Sequence, residues 1–236
     1  MPASDDAPPP TLPPHLNQPG GPPHASALPQ VAGRERELRA LADAVRRLID
    51  ATVTHTADAA TTAAIAARVD ALADELAALV PDPVPARYGG GLGSDSHPHD
   101  HFQFDVMLGL YHPGALPVRM TWDPPRAVGE ARFGWAYEGP PGCVHGAVIA
   151  GVFDQVFNVA NVKSGVAGPT ANLSLDYRRP TRLHRDLVFE GWVERVDGRK
   201  VHTKGRLVQD GHTTVEASGL FLQFDPESLA RFQREG

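Results

Sequence analysis

The chain has 236 residues and a formal net charge of −6. That is enough for one sizeable core with additions and too acidic for nonspecific nucleic-acid binding. Its one cysteine excludes an internal disulfide framework and fits a reducing compartment. No run approaches the ~18 apolar residues of a spanning helix, and no basic segment followed by an apolar one opens the chain. A cytoplasmic protein with no membrane span is the expectation.

Residues Met1–Ala32 hold ten of the 23 prolines and little that can pack, so a disordered, partly polyproline-like tail is expected over 1–32. Residues 33–80 are alanine-rich with helical periodicity. Leu38, Leu41, Val45, Leu48 and Ile49 share one face. After a Thr-rich break, Ile65, Val69, Leu72, Leu76 and Leu79 repeat the pattern. This predicts an αα-hairpin or one interrupted helix, packed on itself, on the main domain or on a second subunit. Pro81-Asp82-Pro83 stops it. A Gly/Pro-rich linker over 81–101 ends in His97-Pro98-His99-Asp100-His101. Without a second cluster of ligands this run reads as a polar loop, and no metal site is expected.

From Phe102 the period changes to two, and residues 102–236 read as one domain. Candidate strands are Phe102–Leu110, Leu116–Trp122 and Ala127–Trp135, then Thr170–Tyr177, Leu187–Val196, Lys200–Gln209 and Thr214–Phe224. Asp197-Gly198 and Asp210-Gly211 are strong hairpin turns. A short helix is expected from Pro226-Glu227-Ser228. One long apolar helix separates the two groups of strands. The physical solution is an α+β domain, a curved antiparallel sheet wrapped around that helix, with the helical extension in front.

The helix lies in Gly142–Asn161, where Val148, Ile149, Val152, Phe153, Val156, Phe157, Val159 and Ala160 leave almost no polar face. Asp154 interrupts the run, and a carboxylate out of water needs a partner. Thr170 and Asn172 are candidate partners. The glycine-bearing approach, Pro140 to Ala147, leaves free N–H groups at a positive helix end, a place to hold an oxyanion. Cys143 precedes His145 by two residues, but side chains that close in a loop rarely oppose each other, and a buried free cysteine is ordinary. No GxSxG, HExxH, P-loop or GxGxxG motif occurs, so no cofactor is expected.

Three stretches carry a resemblance: Val144-His145-Gly146 with Asp154 nine residues after the histidine; Pro169 to Pro180, PTANLSLDYRRP; and Val196-Asp197-Gly198-Arg199-Lys200. Over roughly 102–224 the chain resembles the hotdog-fold acyl-CoA thioesterases of the PaaI/THEM-like group. The resemblance implies hydrolysis of an acyl-CoA thioester. It makes Gly146 and Ala147 the backbone oxyanion donors and Asp154 the general base or nucleophile. His145 orients the loop or touches substrate, and Thr170 lies near the attacking water. Asn172, Arg178, Arg179, Arg199 and Lys200 are the residues expected to bind substrate and CoA, arginine suiting phosphate by its paired donors. Two positions depart from the family's pattern: Ala147 stands where relatives have glycine, and Gln155 follows the acid. Both leave open a non-catalytic hotdog protein that holds acyl-CoA or another apolar ligand.

Nine helical residues put His145 and Asp154 ~13 Å apart, too far for one carbonyl carbon to meet both. If Asp154 is catalytic, the simplest resolution is a two-fold homo-oligomer, dimer or tetramer, in which one subunit's helix start faces the other's acid.

Overall fold

The structure, a computed structural model, describes residues 28, 30–85, 87, 99 and 103–223. Two helices open it, α1 (Glu35–Thr54) and α2 (Ala59–Ala77). Then come strands β1 (Val118–Asp123) and β2 (Arg126–Ala131), helix α3 (Gly146–Lys163), and strands β3 (Thr170–Tyr177), β4 (Leu187–Asp197), β5 (Lys200–Gln209) and β6 (His212–Leu222). The sheet runs β1-β2-β4-β5-β6-β3, with every neighbouring pair antiparallel. Helix α3 packs on all six strands. This is the expected α+β arrangement of a curved sheet around a central helix.

The hairpins follow from their turns. Asp210 and Gly211 both take positive φ, 50° and 77°, as a two-residue turn between right-twisted strands demands. Alternation then sorts the faces. In β5, Val201, Thr203, Gly205 and Leu207 are buried, while Lys204 is exposed and His202 and Arg206 half-buried. On that outer face Lys204 meets Glu194 at 2.5 Å. Arg206 Nε and Arg126 hold the buried Glu190 carboxylate from two strands, at 2.5 and 3.0 Å.

The inner face lets the helix sink in. Register aligns Ala127, Gly191, Gly205 and Ala217 in one row across β2, β4, β5 and β6. Phe157 fills the space these small residues leave. A Cβ on Gly205 would come within 2.6 Å of the Phe157 ring, and one on Gly191 within 2.6 Å of Val156. Phe153 packs edge-on to Phe189, with ring centroids 5.2 Å apart. Phe153, Val156, Phe157 and Phe189 have no exposure.

The segment expected as a first strand is instead a compact set of turns over residues 103–116. Asp105 explains it: its Oδ1 accepts from the N–H groups of Met107 and Leu108, at 2.8 and 2.9 Å. An aspartate that caps its own chain competes with strand pairing. The third candidate strand stops at Ala131 and is followed by a 3-10 turn, Trp135–Tyr137. Of the histidine run, only His99 is described. It is buried, its Nε2 accepting from Met120 N–H at 3.0 Å with Nδ1 3.2 Å from the Leu108 carbonyl. The proline-rich 1–27 and the candidate helix from Pro226 lie outside the described residues.

The two N-terminal helices do not pack as a hairpin. Helix α1 docks on the main domain. Arg46 pairs with Asp43 and donates to the carbonyls of Gly109, Leu110 and His112, at 3.0, 3.3 and 2.7 Å. A small second core of Leu28, Val31 and Tyr111 lies against Leu38, Phe104 and Leu110. Helix α2 buries none of its residues.

Candidate active site

Helix α3 is not covered all round. Its sheet-facing residues are buried, but Ala147 is exposed and Gly151, Asp154 and Asn158 are half-buried, one stripe at i, i+4, i+7 and i+11. Asp154 therefore lies at the edge of the core and not within it, because its position in the helical turn faces away from the sheet. Its Oδ1 accepts from the Thr170 hydroxyl at 2.7 Å. The Asn158 amide approaches Oδ2 at 3.4 Å. Asn172 is exposed and has no side-chain bond to the acid. Asn158, one turn after Asp154, was not singled out from sequence; the i, i+4 spacing was the available signal.

Backbone bonds hold the approach to α3 in place. Cys143 N–H donates to Pro140 O, Val144 N–H to Thr181 O, and His145 N–H to Tyr137 O, at 2.8, 2.9 and 2.9 Å. Gly142 takes φ 70°, the conformation glycine supplies at no steric cost. His145 is the N-cap, and its Nδ1 accepts from Ala147 N–H at 3.0 Å. That bond fixes the proton on the ring's other nitrogen when the imidazole is neutral. Of the two expected oxyanion donors, Ala147 N–H is thus engaged, whereas Gly146 N–H has no acceptor among the described residues. Cys143 Sγ is buried and faces Arg182 at 3.4 Å, so no cysteine–histidine pair exists.

Tyr177 closes over the helix start. Its hydroxyl donates to Gly146 O at 2.9 Å. A Cβ on Gly146 would meet the tyrosine oxygen at 3.2 Å. Burial pushes the Tyr177 hydroxyl above its ordinary pKa. Strand β3 therefore ties both parts of the site: Thr170 at its beginning holds the acid, and Tyr177 at its end holds the helix start. Gly146 and Asp154 are eight helical residues, or about 12 Å, apart.

The basic residues split into two groups. Arg199 and Lys200 follow β4 at the Thr170 end, where Arg199 N–H-bonds Gln223 O at 3.2 Å through Nε and Lys200 pairs in register with Leu222. Arg178 and Arg179 follow Tyr177 at the opposite end, both donating backbone N–H to Thr214 O. Arg178 is already engaged with Glu216 at 2.8 Å, which raises the guanidinium pKa further. The basic residues expected to bind CoA therefore lie at opposite ends of the sheet. Among the described residues no group of three His, Cys, Asp or Glu could hold a metal, and no helix is long and apolar enough to cross a membrane.

Residues 141–216 match the model of a family described as the thioesterase superfamily. A solved thioesterase superfamily protein is 32% identical and superposes with a TM-score of 0.70, covering 78% of this chain and 94% of that one. The acyl-coenzyme A thioesterase THEM4 of Mus musculus is 33% identical over 104 residues, 43% of this chain and 45% of the mouse protein. THEM4 of Xenopus laevis is 35% identical over 91 residues, 38% and 41% of the two chains. The match spans less than half the length of these curated relatives. Fold, matched segment and the solved relative agree: the chain belongs to the thioesterase superfamily.

Proposed function

We propose that the protein hydrolyses an acyl-CoA thioester to the free acid and CoA, at a site shared between two copies of the chain. The observation that carries this is the 2.7 Å bond from Thr170 to Asp154, which orients the acid on the uncovered stripe of α3. The relatives named acyl-CoA thioesterases support the substrate class.

Strand β3 supports a shared site. It stands last in the strand order, so one of its edges has no partner among the described residues. A two-fold axis that pairs β3 with itself makes the pair antiparallel and sets Thr170 of one copy opposite Tyr177 of the other. Asp154 of one copy then stands beside Gly146 of the other. The same operation brings Arg199 and Lys200 beside the second copy's Arg178 and Arg179, joining the split basic patch where CoA phosphates need it.

In this arrangement Asp154 takes a proton from water through Oδ2, the oxygen that Thr170 leaves open. The water oxygen attacks the thioester carbonyl carbon, and the carbonyl electrons move to oxygen. Gly146 N–H at the helix start stabilises that oxyanion, an effect worth about 3 kcal/mol per donor. The intermediate collapses with cleavage of the C–S bond, and the CoA sulfur leaves and is protonated. Ala147 N–H joins as second donor when the His145 ring turns away from it. The buried thiol of Cys143 fits a cytoplasmic setting.

The test is thiol release from short, medium, long and aryl acyl-CoA, wild type beside Asp154→Asn. Turnover that falls by orders of magnitude in the variant, at unchanged thermal stability, supports the reading and names the substrate class. The engaged Ala147 N–H favours a second reading, an acyl-CoA-binding protein without turnover. No wild-type turnover, with saturable stabilisation by CoA, selects it. Equal activity in both proteins makes Asp154 structural.

A further inference from the structure

Helix α2 is complete as a helix and unpaired as a packing element. Asp58 caps it, accepting from Thr61 N–H at 2.8 Å. Alanine, the best helix former, fills much of its length. Yet none of its residues is buried, and no other described element packs extensively on it. Ile65, Leu72 and Leu76 are 42%, 58% and 47% exposed. In folded proteins a helix takes most of its stability from packing one apolar face.

The exposed face has a definite grammar. Ile65, Val69, Leu72 and Leu76 are spaced by four, three and four residues, the seam of a two-helix coiled coil. With Val69 and Leu76 at a positions and Ile65 and Leu72 at d positions, the flanking g positions are Arg68 and Glu75 and the e positions are Ala66 and Ala73. Neither Arg68 nor Glu75 makes an ion pair among the described residues.

We propose that α2 pairs antiparallel with α2 of a second copy of this chain. A two-fold axis crossing between residues 70 and 71 sets Ile65 against Leu76 of the second copy and Val69 against Leu72. All four seam residues within the helix find an apolar partner. The same register faces Arg68 with Glu75 of the second copy, twice, on one flank. Ala66 faces Ala73 on the other, where small side chains let the helices approach. A parallel pair would set Arg68 beside alanine and satisfy neither charge. The sequence is thus self-complementary in one direction, the property of an isologous interface, and charge selects both the occupant and its orientation. This surface is independent of the thioesterase site.

The experiment uses the full chain carrying Ile65→Cys or Leu76→Cys, each alone and the two co-expressed, under mild oxidation or with a short bismaleimide. Linked peptides are mapped by mass spectrometry. The mixture is expected to give a covalent dimer joined between positions 65 and 76, and each variant alone none. Identical positions would lie eleven helical residues, about 16 Å, apart, beyond disulfide reach. Adding Arg68→Glu to both proteins should cut the yield several-fold. Placing Arg68→Glu in one and Glu75→Arg in the other should restore it. Links between identical positions would show a parallel pair, and no link in any mixture would show α2 covered by something else; either result overturns the proposal.

Discussion

Thr170 and Asp154 make the sharpest chemical claim. Thr170→Val removes the 2.7 Å bond but leaves the acid in place. Turnover should fall about tenfold, the worth of a hydrogen bond to a charged group, with KM little changed and Thr170→Ser restoring the rate. Asp154→Asn should cost about 10²–10⁴ in kcat. Among the basic residues, Arg179→Ala should raise KM for acyl-CoA more than Arg178→Ala, because Arg178 is already committed to Glu216. Steady-state kinetics on one acyl-CoA separates these effects. The acid and its threonine were legible in sequence because a lone carboxylate in an apolar run demands a donor. The engaged state of Ala147 N–H was not, since it depends on the rotamer of His145. The split of the arginines was not either: residues close in sequence order can flank opposite ends of a hairpin, and only the strand order tells which.

Strands β3 to β6 could be read closely, because Asp197-Gly198 and Asp210-Gly211 fix the turns and hence the register. The segment after Phe102 could not. Its alternation is that of a strand, but Asp105 satisfies two backbone N–H groups locally and turns the chain. The row of small residues under α3 is a second feature that composition hides, since Ala127, Gly191, Gly205 and Ala217, on four different strands, line up only after pairing. Gly205→Ala places a Cβ 2.4 Å from the Glu190 carbonyl and 2.6 Å from Phe157. It should destabilise by about 1–3 kcal/mol, read as a lowered denaturant midpoint. Helix α2 offers a pH test. The Thr61 backbone bond holds the Asp58 carboxyl below its ordinary pKa of 3.8. The cap therefore stabilises fully above that value and is lost as pH falls through the lower, folded value. Acid titration followed by circular dichroism should show wild type and Asp58→Ala converging there, with wild type more helical at neutral pH.

Helix α1 is tied to the sheet domain by Arg46, whose guanidinium satisfies three carbonyls of the 103–116 turns. Arg46→Ala should cost about 2 kcal/mol by leaving them short of donors, and Arg46→Lys should recover only part, having no planar fork. Thermal melts of the full chain check both. Because Thr170 and Tyr177 at the two ends of β3 hold the acid and the helix start, the proposed shared site also has a genetic signature. Gly146→Pro deletes the oxyanion donor at a first helical position where proline is tolerated, after a residue already at φ −62° and ψ 133°. That protein and Asp154→Asn should each be inactive. In the mixed dimer that the proposed arrangement predicts, the two lesions fall together on one site, and the other site is whole. Random reassortment of two dead proteins should then return about a quarter of the wild-type sites: the mutations complement one another, as defects in separate genes do, although both lie in a single helix of a single chain.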